Sequence, residues 1–195
     1  MKRLLISASL AASAVLPSAA HAQAIPQAIV AVVDLDRVST DCNACKTAAA
    51  ALRSQVQSYQ GRESALATPL QTEGKALQAA VDALNGKEPD AALKTRITAF
   101  QTRQQQGAAE LQRQQQQIQR NQQFVQKQIS DKLGPIYSQV MQRRGANVML
   151  EQGATLATAS SLDVTPDIIA ALNTAMPTIQ TIAPAAAATP KPQGR

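Results

Sequence analysis

Histidine and tryptophan are almost missing from this chain of 195 residues, which contains one His and no Trp. The single histidine, His21, lies in an N-terminal segment that we predict is removed, so the mature chain would carry no imidazole. Ser/His and Cys/His nucleophile pairs and histidine metal sites are then excluded. The eight glycines are scattered, and none form a phosphate-binding loop. We therefore predict a protein that is not an enzyme and needs no cofactor.

Aromatic residues and long apolar runs are also scarce. Two Tyr and two Phe are the only aromatic residues, and they leave no set of rings on which nucleic-acid bases could stack. Beyond the N-terminal segment, no apolar stretch reaches the roughly 20 residues that a membrane-spanning helix needs. We expect a soluble mature chain with no nucleic-acid partner.

Residues 1–22 have the three parts of a secretory signal peptide. Lys2 and Arg3 give a charged start, residues 4–16 form a short apolar core, and residues 20–22 read Ala-His-Ala, a small-x-small cleavage site. We expect a mature chain that begins at Gln23 and lies in the periplasm; an uncleaved anchor is the alternative. Cleavage would lower the formal charge from +6 to about +4, because Lys2 and Arg3 leave.

Residues 47–144 show the apolar spacing of two long helices that fold back on each other at residues 85–90. In the first helix two interleaved series recur with a seven-residue step: Leu52, Tyr59, Leu66 and Ala80, and Val56, Leu70, Leu77 and Leu84. The second helix continues the pattern with Leu93, Ile97, Phe100, Leu111, Ile118 and Val125. Such steps are typical of a coiled-coil seam. The sequence therefore predicts a helical-hairpin arm roughly 60–75 Å long.

The predicted seam is weak in the returning helix. Gln104, Gly107, Gln114 and Asn121 fall where a stable coiled coil would place Leu or Ile. In the outgoing helix, Pro69 predicts a kink or a flexible joint. A flexible arm with a mildly apolar inner face suits transient capture of extended chains. A glutamine-rich spacer that only separates two ends is the alternative interpretation.

The returning helix is also basic. Over residues 91–129 only Glu110 opposes six cations, and these are Lys94, Arg96, Arg103, Arg113, Arg120 and Lys127. A solvated helix face explains such a stripe, and so does a surface that attracts acidic clients or anionic lipid headgroups. Nucleic acid is the weakest of the three interpretations, because an exported protein does not meet it.

The remaining segments predict a small β-rich body made of residues 23–46 and 145–182. Residues 28–35 are predicted to form a buried strand, and residues 147–150 and 155–158 two more around Gln152-Gly153. A helix is predicted from Thr165 as N-cap, with Pro166 at its first position. Residues 183–195 are rich in Ala and Pro and are predicted to be disordered. The fold class is α+β, mostly α, and about 60 body residues are too few for a robust core, so we expect several chains to pool their bodies.

Two short motifs near the first strand carry chemistry. Cys42 and Cys45 form a C-x-x-C motif at a helix start, for which a structural disulfide, a link between chains, a redox-active pair and a metal site are the alternatives. Asp34 and Asp36 would share one face of a strand. Helix capping or pairing with Arg37 is a simpler explanation for these carboxylates than acid/base catalysis.

These segments, in this order, resemble the OmpH/Skp family of periplasmic chaperones. The resemblance is carried by residues 30–38 (Val-Ala-Val-Val-Asp-Leu-Asp-Arg-Val), the long hairpin, residues 145–150 and residues 163–173. It implies a homotrimer with a β-barrel-like body and three helical tentacles around a cavity. It also implies that the protein holds unfolded outer-membrane proteins without ATP for outer-membrane assembly, and that some members bind lipopolysaccharide. On this resemblance, Val32, Val148, Leu156 and Ile168 would hold the trimer together, and the inner arm faces would hold clients.

Two functions of other classes compete with a holdase. One is a structural coiled-coil adaptor of the cell envelope, whose tip at Asn85–Asp90 docks a single defined partner. The other is a thiol oxidoreductase that uses Cys42 and Cys45.

Overall fold

The computed structural model describes residues 26–184. The elements follow the order β1 (Val30–Val33), α1 (Leu35–Asp41), α2 (Asn43–Asp82), α3 (Ala91–Arg144), β2 (Val148–Glu151) and α4 (Thr165–Ala175), with 3₁₀ turns at Gln152–Ala154 and Ser160–Leu162. The predicted signal peptide, residues 1–22, and residues 185–195 of the predicted tail lie outside the described residues. The predicted class, a mostly helical α+β fold with a long hairpin on a small body, is confirmed.

The arm consists of α2 and α3, which have 40 and 54 residues and pack against each other along the hairpin. At the tip, Asn85 and Gly86 take the left-handed conformation that reverses the chain, with φ of 49° and 85°. Asp90 then caps α3, because its carboxylate accepts a hydrogen bond of 2.7 Å from the Leu93 N–H. At the far end, Gly145 closes α3 with φ of 66°. The chain thus reverses within the predicted turn at residues 85–90, and α3 ends at Arg144.

The start of α2 differs from the prediction. The helix begins at Asn43, several residues before position 47, and Asp41 belongs to the end of α1. The Cys42 sulfur occupies the N-cap position and accepts a hydrogen bond of 3.1 Å from the Cys45 N–H. From there α2 continues through Pro69 to Asp82 as one helix.

A two-stranded parallel sheet joins the two ends of the hairpin. Val30 pairs with Val148 and Val33 with Glu151, so residues far apart in sequence meet at one place. The Asn147 side chain reinforces the junction, because its Oδ1 accepts from the Ile29 N–H at 2.7 Å and its Nδ2 donates to the Gln27 carbonyl at 2.8 Å. These contacts form the root from which the arm projects.

Two strand predictions were wrong: one strand is shorter than predicted, and the other is not formed. The first strand ends at Val33, because Asp34 caps α1 by accepting from the Arg37 N–H at 2.9 Å. Asp36 therefore lies on a helix and does not share a strand face with Asp34. The predicted strand at 155–158 is absent from the described residues: a 3₁₀ turn precedes it, and Leu156 projects fully into solvent. Without a neighbouring strand or a buried face, β-favouring residues do not form a strand.

One hydrophobic core lies in the root and includes no residue of the outer arm. Val38 of α1, Val140 of α3, and Ile168 and Leu172 of α4 are each at most 1% exposed. The last turns of α3 thus serve the body as well as the arm. Close packing of side chains from β1 and all four helices fixes the direction in which the arm leaves the root.

A buried threonine fastens α4 to the end of β1. The Thr165 hydroxyl oxygen accepts a hydrogen bond of 2.9 Å from the Asp34 N–H, and Thr165 is fully buried. Its hydroxyl and its N–H also bond Asp163, and the hydroxyl is the main reason why the pKa of that carboxyl lies below its usual range. The predicted cap role of Thr165 was wrong: Val164 holds the N-cap position, and the Thr165 side chain serves the neighbouring strand.

Replacing Thr165 by Val should destabilise the root by about 1–3 kcal/mol, because the Asp34 N–H would lose its acceptor in a part-buried site. Urea unfolding followed by tyrosine fluorescence would measure the loss, since Tyr137 packs against the core. Thr174→Val on the exposed side of α4 is the matched control and should change stability by less than about 0.5 kcal/mol. Equal effects of the two substitutions would contradict the role assigned to Thr165.

Candidate functional site

The inner face of the arm is only partly sealed. Most predicted seam residues are half-buried, and Leu77 and Val125 are the buried large apolar side chains on the seam. Small residues let the helices approach: the Cβ of an alanine at Gly74 would lie 3.2 Å from the Phe100 ring, and one at Gly107 would lie 3.7 Å from Leu66. Gly107, which breaks the apolar pattern, therefore receives a leucine from the facing helix.

Two ion pairs join the helices across the outer half of the hairpin. The Arg62 guanidinium donates two hydrogen bonds to the Glu110 carboxylate, at 2.8 and 3.1 Å, and Arg103 donates to Glu73 at 2.6 Å. The hydrogen bond from Arg62 is the main cause that holds the pKa of Glu110 below its usual range. These pairs add polar contacts between two helices that share few buried apolar side chains, and because they are partly exposed each contributes little stability.

Amide side chains replace apolar ones nearer the root. Asn121 is 2% exposed, and its Nδ2 donates across the hairpin to Gln55 Oε1 at 2.8 Å. Gln117 donates to Asn121 Oδ1 at 2.7 Å. Because every buried polar atom needs a partner, this set forms a connected network. We call the four residues Gln55, Gln117, Asn121 and Gln128 the amide ladder.

The C-terminal segment, residues 177–184, lies along the amide ladder. It leaves the core at Met176, which is 4% exposed, and runs up the arm away from the root. Gln128 and Asn121 bond the backbone of Gln180 and Ala183, respectively. The predicted disordered tail began at residue 183, but Ala183 is hydrogen-bonded to α3 and the C-terminal segment contacts the arm. Nothing in the local sequence signals this contact, since glutamine is common all along α3.

The six basic residues predicted as a client-facing stripe do not lie in one row. Arg113, Arg120 and Lys127 recur every seven residues, whereas Arg96 and Arg103 form a second row turned about 80° around the helix. Ion pairs occupy three of the six: Lys94 with Glu88 at 3.2 Å, Arg103 with Glu73 at 2.6 Å, and Lys127 with Asp131 at 2.8 Å. Arg120 bonds Gln117. Within residues 26–184, Arg96 and Arg113 form no ion pair.

The four residues proposed to hold a trimer differ in exposure. Val32 and Ile168 are at most 2% exposed in the single chain, so neither offers apolar surface to another copy. Val148 is half-buried, and Leu156 is fully exposed. Two further apolar side chains, Ile29 and Leu150, are 54% and 41% exposed beside the sheet. The exposed apolar surface of the root therefore comes from a partly different set than the sequence indicated.

The cysteine pair is joined in the structure. Cys42 and Cys45 form a disulfide with a Cα–Cα distance of 5.1 Å, and both residues are at most 3% exposed. Burial shields the sulfurs behind α1 and the core. In the part of the chain that is described, no cluster of three His, Cys, Asp or Glu side chains could bind a metal ion, and no helix is long and apolar enough to cross a membrane.

An open apolar groove runs between α1 and α3, where the arm meets the root. It has a volume of about 520 Å³, and apolar side chains dominate its lining: Leu35, Val38, Val125, Ile129, Leu133 and Tyr137. Burial raises the pKa of the Tyr137 hydroxyl above its usual range. This groove adds a second mildly apolar surface to the half-open seam.

Comparison with known proteins identifies the architecture. The sequence profile of the OmpH-like outer membrane proteins matches residues 29–172, which include both strands, the whole hairpin and most of α4. The chain belongs to the OmpH-like family. No curated protein matches the sequence.

The OmpH-like fold is also seen in a crystal structure. A proposed OmpH-like outer membrane chaperone from Caulobacter crescentus CB15, solved at 2.83 Å resolution, is similar with a TM-score of 0.65 and 21% sequence identity. The match covers 80% of this chain and 90% of the other. At this level of identity the likeness concerns the fold.

A substitution at Gly107 should stabilise the arm. Gly107→Ala removes a mid-helix glycine, worth about 1 kcal/mol, and places its Cβ at an ordinary contact distance from Leu66. Gly74→Ala is the matched variant, and its gain should be smaller because Phe100 must move. Thermal unfolding followed by circular dichroism at 222 nm compares the two. A larger gain at Gly74 would contradict the packing described for these helices.

Proposed function

We propose that this OmpH-like chain is an ATP-independent holdase chaperone of the periplasm. It binds unfolded outer-membrane proteins and keeps them soluble for outer-membrane assembly. The observation that carries the proposal is the arm itself: a two-helix hairpin whose apolar face stays partly exposed along most of its length and is rooted in a small core. The description of the Caulobacter crescentus protein as a proposed outer membrane chaperone supports it.

A partly exposed seam suits weak binding to many sequences. Each half-buried leucine or isoleucine offers little apolar area, so a single contact with an unfolded client is weak and reverses quickly. Many such contacts on one surface raise the overall affinity by multiplicity without selecting one sequence. Such a surface holds a client without folding it, and the holding step needs no catalytic group.

Positive charge adds a long-range attraction to acidic segments. Arg96 and Arg113, which form no ion pair among the described residues, are the cations that a client or an anionic lipid such as lipopolysaccharide would meet first. Because exposed charges are screened within about 8–10 Å at physiological salt, this part of the binding should weaken as salt rises. The apolar part should persist.

The root is proposed to assemble a homotrimer. Ile29, Leu150 and Leu156 leave apolar side chains exposed around the two-stranded sheet. Asp163 forms a bridge beside Val32 of β1, whereas within residues 26–184 no third strand pairs with β2 on its outer edge. An unpaired strand edge with exposed leucines favours pairing with another copy. Three arms projecting from one body would enclose a space for a client.

The holdase predicts suppression of aggregation. A urea-unfolded outer-membrane β-barrel protein, diluted into buffer with one trimer per client, should scatter little light compared with the client alone. Arg96→Gln with Arg113→Gln should weaken suppression at low salt and have little effect at high salt. Substitutions at the tip, Asn85 to Asp90, should leave it unchanged. Full aggregation at stoichiometric trimer would overturn the proposal.

If the chain assembles as a trimer, the protein that begins at Gln23 should have the mass of three chains. Light scattering coupled to size exclusion should give this mass with and without reductant, because the disulfide lies within one chain. Leu150→Asp with Leu156→Asp should shift the protein to a monomer, since burying two unpaired carboxylates is costly. Val81→Asp on the arm, where Val81 is 37% exposed, is the control and should leave the mass unchanged. A monomeric wild-type chain would contradict the proposed assembly.

A further inference from the structure

The amide ladder forms its hydrogen bonds with the backbone of the C-terminal segment, not with the side chains. Gln128 accepts from the Gln180 N–H at 3.1 Å and donates to the Gln180 carbonyl at 2.8 Å. Further along, the Ala183 N–H donates to Asn121 Oδ1 at 2.8 Å. Gln55 donates to the carbonyl of Thr181 at 3.2 Å and Gln117 to that of Ala183 at 3.4 Å. All five hydrogen bonds go to groups that almost any extended polypeptide would offer.

The spacing of the ladder matches an extended chain. Gln128 and Asn121 are seven residues apart on α3, which is a rise of about 10.5 Å. Their partners, Gln180 and Ala183, are three residues apart, which is about 10 Å in an extended strand. A heptad series of amides on a helix therefore meets every third residue of an extended chain. The match depends on backbone geometry and not on the sequence of the segment.

The groove continues past the point where Ala183 is held. A cavity of about 340 Å³ lies between the helices beside Ile182, and Tyr59, Gln114 and Ile118 contribute to its lining. Gln114 is the next member of the heptad series after Asn121. Ile182 is 63% exposed and fills little of this space. A longer extended segment would thus find both an amide partner and apolar side chains there.

We propose that the amide ladder, continued by Gln114, is a binding site for extended polypeptide backbone. The C-terminal segment occupies it as an internal ligand, and an extended segment of an unfolded client takes its place. The client part rests on the proposed holdase function; the site itself rests on the five backbone hydrogen bonds. Since Gln117 and Gln55 bond Asn121 from the two helices, these contacts orient its amide independently of the C-terminal segment.

The test uses the full chain and releases the C-terminal segment from the amide ladder. Gln180→Pro with Ala183→Pro removes the two N–H groups that bond Gln128 and Asn121 and leaves the ladder intact. Gln180→Ala with Ala183→Ser is the matched control, because it changes the same side chains and keeps both N–H groups. The probe is a fluorescein-labelled peptide with the sequence of residues 178–183 and blocked ends, and binding is measured by fluorescence anisotropy.

The opened variant should bind the peptide at least about tenfold more tightly than the wild type, in which the tethered segment competes at millimolar effective concentration. The control variant should bind like the wild type. A peptide of scrambled sequence should bind the opened variant equally well, whereas one N-methylated at its third and sixth residues should not bind. Adding Asn121→Leu to the opened variant should remove the gain. Equal peptide binding by the opened variant and the wild type would overturn the site.

Competition with a client tests the second half of the proposal. An unfolded outer-membrane β-barrel protein should displace the peptide from the opened variant. Gln114→Leu should weaken the binding of that client several-fold without changing the affinity for the peptide. A client that the chain keeps soluble while the peptide stays bound would overturn the client role of the ladder and leave the holdase standing. A chain that suppresses no aggregation would remove the holdase, while the peptide measurements would still decide the site.

Discussion

The parallel pairing of β1 with β2 is the constraint from which the rest of the structure follows. Parallel strands need a long connection between them, and here that connection is the entire hairpin, so that Ile29 meets Asn147 across 118 positions. The returning helix is longer than the outgoing one, 54 residues against 40. The difference corresponds to about 20 Å, and these extra turns carry Ile136 and Val140 into the core of the root. The single helix α3 therefore runs from the arm into the body.

The two helices of the arm are joined by weak apolar packing and by specific polar contacts. A seam of leucines alone would bind its two helices tightly and leave little surface for another chain. Instead, Gly107 admits Leu66, ion pairs hold the outer half, and Asn121 with Gln55 holds the inner half. A buried amide in a coiled coil sets register at a cost in stability. In this chain the same amides also face a strip of exposed backbone, which gives the glutamine-rich composition of α3 a structural role.

Local patterns in the sequence predicted those parts of the fold that local physics determines. The heptad steps and the turn at residues 85–90 each depend on residues within a few positions of one another, and the structure contains both the hairpin and its turn. The root was harder to predict, because its contacts join distant segments. Thr165 has the right identity for a cap but bonds Asp34 across 131 positions, and Leu156 sits in a β-favouring run that has no strand beside it. The amide ladder was not predictable, since nothing in one glutamine distinguishes it from the next until the chain end is placed beside it. The sequence showed that α3 is basic, but it did not show which of the cations form ion pairs or on which side of the helix each one lies.

The order in which the chain is made gives the root a further property. Synthesis proceeds from the N-terminus, and contacts between sequence neighbours form before distant ones. The two helices of the hairpin can therefore pair as soon as α3 has emerged, whereas β1 waits for β2, and the core waits for Ile168 and Leu172 near the end. The C-terminal segment arrives last of all. During that interval the two helices of the arm can already be paired while the groove that the C-terminal segment later covers is still open.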